Sequence, residues 1–161
     1  MRPCIFETSV VLDAPIEQVY AFHENPHNLL AISPAWLDAQ VQKANSTAVR
    51  GETFRIRAGA RWFPLKLTWD GFWEEANRPT LLIDGASRSP FRSWQHQHRF
   101  EALNLSRTRM TDHVTYQLPG GWLGKIVGET FARLQFRLMF ADRHRRTQRW
   151  ARENAVRPPG P

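Results

Sequence analysis

Two places in this chain put chemically able side chains at spacings that chemistry could use. The first is His23-Glu24-Asn25-Pro26-His27, a literal H-E-x-x-H. On one continuous helix that pattern sets two imidazoles a turn apart on zinc, with the glutamate as general base. Pro26 lies between the two histidines, removes a backbone donor and costs about 3 kcal/mol in a helix interior. It also pushes Asn25 away from helical angles. No third ligand stands at a matching spacing. The pentapeptide therefore predicts a break between two short helices, and the protease reading falls.

The second place is a pair of strands. Trp94, His96, His98 and Phe100 alternate with Ser93, Gln95, Gln97 and Arg99, so the first set shares one face. Further on, Met110, Asp112, Val114, Tyr116 and Leu118 share a face in the same way. If Asn104-Leu105-Ser106 forms a short hairpin loop, matching the apolar faces sets Asp112 beside His98 or His96. Two imidazoles, a carboxylate, a phenol and an indole then point inward together. Three kinds of chemistry fit them. Asp112 can fix a histidine tautomer in a satisfied buried network. The group can form the polar floor of a mostly apolar ligand pocket. Two histidines and a carboxylate also make the donor set of a facial metal triad.

The elements that would position these groups follow from the pattern. Ile5–Leu12 is β-branched and bounded by Asp13-Ala14-Pro15, which predicts a first strand. A helix over Ile16–His23 offers Ile16, Val19, Tyr20 and His23 as one face, and a second short one spans Pro26–Ile32. Six strands follow, over Trp36–Lys43, Glu52–Ala58, Leu65–Glu74, Thr80–Gly85, Trp94–Leu103 and Thr108–Leu118. Their short spacers favour an antiparallel meander. A long helix over Trp122–Asn154 closes the chain, with Leu123, Val127, Thr130, Leu134, Leu138 and Ala141 as its apolar stripe, widened by Phe131 and Phe136. Trp69 and Trp73 share a strand face with Leu65 and Leu67, and read as core or cavity wall. Asp84, in Leu82-Ile83-Asp84-Gly85, reads as a turn cap at a strand end.

Composition narrows the classes. Seven Trp and ten Phe suit a globular fold with a spacious interior, because a few large rings line a cavity. No run is long and apolar enough to span a membrane, and the first residues lack the pattern of a signal peptide. A single cysteine, Cys4, cannot form an internal disulfide and reads as a packed thiol, so a reducing cytoplasm is the expected compartment. The net charge is +7, and six arginines against Asp142 and Glu153 place four of those charges in the last helix and tail. That distribution favours a solvated face complementing the helix dipole over a nucleic-acid patch. Residues 1–155 are expected to form one domain, and 156–161 a disordered tail.

The order of elements, with Ala14-Pro15-Ile16-Glu17-Gln18-Val19-Tyr20-Ala21-Phe22-His23, Asn25-Pro26 and Leu29 to Leu37, resembles the START-like or SRPBCC superfamily. Ser89-Pro90-Phe91, Trp94 to Phe100, Thr108 to Val114, Leu118 to Gly124 and Phe140-Ala141-Asp142-Arg143-His144 extend the likeness over nearly the whole chain. The wording is similar to its ligand-binding SRPBCC or polyketide cyclase/dehydrase-like branch. The resemblance implies an α+β helix-grip fold: a curved antiparallel sheet of about seven strands, two short helices after the first strand, and a long C-terminal helix over a cavity. It implies a small apolar or aromatic ligand, with neither metal nor cofactor. Trp69, Trp94, His96, His98, Phe100, Asp112 and Tyr116 are the candidate ligand contacts. An enzymatic alternative of cyclase/dehydratase type makes His96 or His98 the base, oriented by Asp112, with Tyr116 stabilising an enolate. A second alternative is binding of nucleic acid or an anionic membrane through the arginine-rich helix.

Overall fold

The computed structural model describes residues 2–154, with side chains throughout except over 121–128. Strand β1, Cys4–Leu12, leads into helix α1, Ile16–His23. Asn25 then takes an extended conformation and caps a single 3-10 turn, Pro26–Asn28, which runs into the short helix α2, Leu29–Ile32. Pro26 thus breaks the helix between His23 and His27, as its missing donor requires.

Six strands follow in an unbroken meander: β2 Leu37–Lys43, β3 Thr53–Ala60, β4 Leu67–Asn77, β5 Leu81–Arg88, β6 Ser93–Asn104 and β7 Arg107–Gln117. They form one seven-stranded sheet of order β1-β7-β6-β5-β4-β3-β2, antiparallel throughout. Register shifts at Val41/Lys43, Asp70/Gly71, Trp73/Glu75 and Ala102/Asn104 bend the strands and add twist, which curls the sheet. Helix α3, Gly121–Asn154, closes the concave side.

The strands predicted from sequence are recovered with shifted ends; β4 runs on to Asn77, and β5 continues past Gly85 to Arg88. Asp84 is therefore inside a strand and paired with His96, and its reading as a turn cap is corrected.

The stripe expected on α3 also needs correction. Thr130, Phe131, Leu134, Leu138 and Ala141 face solvent, and the buried face is Ala132, Phe136, Phe140, His144, Thr147 and Ala151. Leu123 and Val127 lie outside the described side chains. Both sets have helical spacing, and the sheet chose the one with small, aromatic and polar members. Phe136 and Phe140 pack at a tilt against Phe6 of β1, with ring centroids 5.6 and 5.4 Å away. Toward the C-terminus, Trp150 lies 3.9 Å from the Phe22 ring, and Gln148 Nε2 donates to the Val11 carbonyl. Among the described residues no helix is long and apolar enough to cross a membrane. The tail expected over 156–161 lies outside the described residues.

Candidate functional site

Antiparallel pairing sets side chains in rows across the sheet, and two adjacent rows carry the chemistry. One row runs Trp73, Asp84, His96, Val114, Phe6 across β4, β5, β6, β7 and β1. Its neighbour runs Leu82, His98, Asp112, Thr8. The hairpin pairing expected from sequence thus places Asp112 opposite His98, with His96 on the same face one row along.

Asp112 is the hub. It is 2% exposed, and three imidazoles close on its carboxylate. His96 Nε2 donates to Oδ1 at 3.0 Å, and His144 Nε2, reaching down from α3, donates to Oδ2 at 2.7 Å. His98 Nδ1 lies 2.8 Å from Oδ1, approaching too obliquely for a well-aligned hydrogen bond. Burial works to raise the Asp112 pKa, but the hydrogen bonds from His144 and His96 and the close approach of His98 outweigh it and hold the carboxyl well below the ordinary range. Burial lowers the pKa of His96 and His98, against the pull of Asp112.

The opposite edges of those rings face Asp84. His96 Nδ1 is 3.6 Å from Asp84 Oδ2, and His98 Nε2 is 3.8 Å from the same oxygen. Trp94 Nε1 donates to the other oxygen, Oδ1, at 3.3 Å. Burial pushes the Asp84 pKa up to about 6, against the opposing pull of His98, Trp94 and Arg143.

Asp84, His96 and His98 open onto a concave space of about 410 Å³ between the sheet, α1, α2 and α3. Its apolar wall includes Phe54, Trp69, Trp73, Phe91, Trp94 and Phe136. Trp69 and Trp94 meet edge to face at 4.8 Å, and Phe91 stacks on Trp94 at 5.2 Å. His23 and Arg143 complete the polar end of the wall.

Of the residues singled out from sequence, Trp69, Trp94, His96 and His98 line this space. Asp112 lies behind the two histidines, and Phe100 packs in the core beside Tyr20. Tyr116 sits in a second apolar cluster with Cys4, Val114 and Phe136, off the wall, and its buried hydroxyl finds no hydrogen-bond partner among the described residues.

Four groups were not anticipated: Asp84, His144, Arg143 and His23. Asp84 shares strand parity with buried Leu82, a signal the sequence did carry. His144 follows Phe136 and Phe140 at steps of four along α3, but that series stands out only once the sheet-facing side is known. His23 bonds the Val19 carbonyl through Nδ1 at 2.7 Å and turns its ring toward His98, with 5.7 Å between centroids. Its partner in the pentapeptide, His27, is exposed and reaches the Ala44 carbonyl, while Glu24 pairs with Arg78. The H-E-x-x-H residues therefore share no site.

The basic helix is largely committed. Arg145 and Arg146 both bind Asp142, Arg152 approaches Asp13, and Arg143 faces the cavity.

No curated protein matches the chain significantly in sequence. Solved structures do match its fold. Protein CV1439 from Chromobacterium violaceum aligns over 91% of this chain and 96% of its own, with a TM-score of 0.73 at 12% identity. TTHA0849 from Thermus thermophilus aligns over 92% and 99%, with a TM-score of 0.66 at 16% identity. Norcoclaurine synthase from Thalictrum flavum, in complex with dopamine and hydroxybenzaldehyde, aligns over 96% and 90%, with a TM-score of 0.67 at 8% identity. At such identities the likeness is one of fold, the helix grip. Sequence carries the assignment further: residues 12–141, from the end of β1 into the buried face of α3, match one family model. The chain belongs to the polyketide cyclase / dehydrase and lipid transport family.

Proposed function

We propose that the protein binds a small, largely aromatic or apolar molecule between sheet and α3, with one polar end turned toward Asp84, His96, His98 and Arg143. The observation that carries this reading is the division of the wall: an aromatic lining at one side, and buried acceptors with a guanidinium at the other. Such a division orients a ligand, because the rings bury its apolar body and a few polar groups select a hydroxyl, carbonyl or carboxylate. A volume of about 410 Å³ suits a small molecule. The family's description, which joins cyclases, dehydrases and lipid carriers, supports the same class of ligand.

The cyclase/dehydratase alternative required Tyr116 to stabilise an enolate. Tyr116 packs in the second apolar cluster, apart from the residues lining the cavity, which favours binding as the first reading.

The test uses tryptophan fluorescence and thermal melting with aromatic polyketides, sterols and fatty acids, alongside native mass spectrometry of gently purified protein. A true ligand saturates at one per chain, quenches the wall tryptophans and, at a hundredfold excess over Kd, stabilises by about 2.7 kcal/mol. Trp69→Ala is expected to weaken it more than tenfold. If no compound shifts the melt and no molecule co-purifies, the reading fails.

A further inference from the structure

We propose that Asp84, His96 and His98 form a site for one divalent first-row transition metal ion, with its remaining coordination position open to the cavity. One ligand atom from each lies within 4.8 Å of the other two. Asp84 Oδ2 is 3.6 Å from His96 Nδ1 and 3.8 Å from His98 Nε2. Those separations are too long for hydrogen bonds. They are close to the ligand-to-ligand edges of about 3.4 Å that a tetrahedral ion with bonds of about 2.1 Å produces.

The direction of the lone pairs makes the same point. Ionised Asp112 can only accept, so the imidazole nitrogens facing it, His96 Nε2 and His98 Nδ1, carry the hydrogens. The opposite nitrogens, His96 Nδ1 and His98 Nε2, then present lone pairs, and both are turned on a carboxylate oxygen. Two imidazole nitrogens and a carboxylate oxygen thus converge on one buried place, the donor set and arrangement a cation would satisfy.

The groups behind the ligands are those a metal site needs. Metal-binding histidines usually give their other nitrogen to a carboxylate, which sets the tautomer and ring orientation. Asp112 does this for both rings and is itself fixed by His144. Trp94 holds Asp84 Oδ1, which leaves Oδ2 to point at the imidazoles. Two imidazoles with one carboxylate suit zinc or ferrous iron, whereas calcium and magnesium select oxygen sets. Arg143 is the cation on the wall, and against Asp84 and Asp112 it leaves one negative charge in excess. A dication turns that excess positive and would attract an oxygen donor to the open side.

The test uses chelator-stripped, tag-free protein with no organic ligand, so its outcome is independent of the ligand reading above. Co²⁺ is expected to give visible d–d absorption that saturates at one ion per chain and is bleached by Zn²⁺. Asp84→Asn and His98→Gln should abolish the signal, and Asp112→Asn should weaken Co²⁺ binding 10–100-fold. His113→Gln, at a half-buried histidine on the other sheet face, should leave it unchanged. Near-UV circular dichroism before metal addition checks that each variant is folded. Should Asp84→Asn or His98→Gln unfold, Trp94→Phe replaces it, with a loss of about tenfold expected from freeing Asp84. Substoichiometric uptake by the folded parent, or unchanged affinity in the folded variants, overturns the proposal.

Discussion

Asp112→Asn keeps the shape of the hub and removes its charge, so it isolates what the carboxylate does. In the parent, one buried acceptor group faces three imidazole nitrogens at 3.0, 2.8 and 2.7 Å. An amide has one accepting oxygen and one donating nitrogen. Whichever way it turns, its NH₂ meets an imidazole that was also donating. At least one buried donor loses its partner, at a cost of about 1–3 kcal/mol. The remaining bonds fall from charge-assisted to neutral, a further loss of about 1 kcal/mol each. Relief of the desolvation of an ionised carboxylate offsets part of this. The net expectation is a destabilisation of about 3 kcal/mol near neutral pH, within the range for breaking a buried polar network. Urea unfolding followed by tryptophan fluorescence reads it directly: with a slope of about 2 kcal/mol/M, the midpoint moves down by about 1.5 M. The difference must also depend on pH. The Asp112 pKa is depressed in the folded chain, so its contribution is present above the unfolded value of 3.8 and is lost as pH falls through the folded value. Parent and variant should therefore converge in strong acid. A midpoint shift below about 0.3 M at neutral pH would show that the three imidazoles do not depend on Asp112, and the hub description would be wrong.

Three other outcomes follow from named contacts. His23 has its pKa lowered to about 3, first by burial and then by His98 and Arg143, with the Val19 carbonyl and Asp112 opposing. The unfolded chain takes up a proton at the ordinary histidine value of 6.5 and the native one resists, so stability is full above 6.5 and falls on acidification toward 3. At about pH 4.5 the loss is about 2–3 kcal/mol, and His23→Gln should flatten that limb in denaturation curves across pH. Phe136→Ala should cost about 3–5 kcal/mol, since its ring packs against Phe6, Tyr116 and Trp94, whereas Leu138→Ala at 65% exposure should stay within about 0.5 kcal/mol. Equal melting shifts for the two would reverse the assignment of the α3 faces. A methyl group at Gly71 would overlap the Phe54 ring, so Gly71→Ala should destabilise by about 1–3 kcal/mol and displace a cavity wall residue, which a loss of ligand-induced quenching would report.

The fold was legible because its signals are local and repeated. Alternation marks β6 and β7 wherever Trp94, His96, His98 and Phe100 or Met110, Asp112 and Val114 recur at every second residue. Pro26 states in one residue that the helix must break. The faces of α3 were not legible, because an apolar set at Phe131, Leu134 and Leu138 has the same helical spacing as the buried set at Phe136, Phe140 and His144. Hydrophobicity alone prefers the leucines. The sheet prefers the aromatic and polar set because its concave face already presents Asp112 and needs a donor above it. Asp84 failed for a related reason. Beside Gly85 it looked like a turn cap, and only its pairing with His96 reveals that the strand continues.

The polar cluster also explains why this sheet has one register. A slip of one residue between β5 and β6, or between β6 and β7, turns every side chain of one strand to the other face. Here such a slip would pull His96 and His98 away from Asp84 and Asp112 and leave buried carboxylates without partners. Apolar rows tolerate exchange of one neighbour for another, as Val114 or Leu82 could pack against several side chains. A carboxylate bonded by two imidazoles with a third against it has far fewer acceptable arrangements. The same residues therefore do two things that mutation separates. Changing Asp112 should loosen the register and the site together. Changing Asp84, whose Oδ2 makes no hydrogen bond to either ring, should leave the register standing and alter only what the cavity can hold.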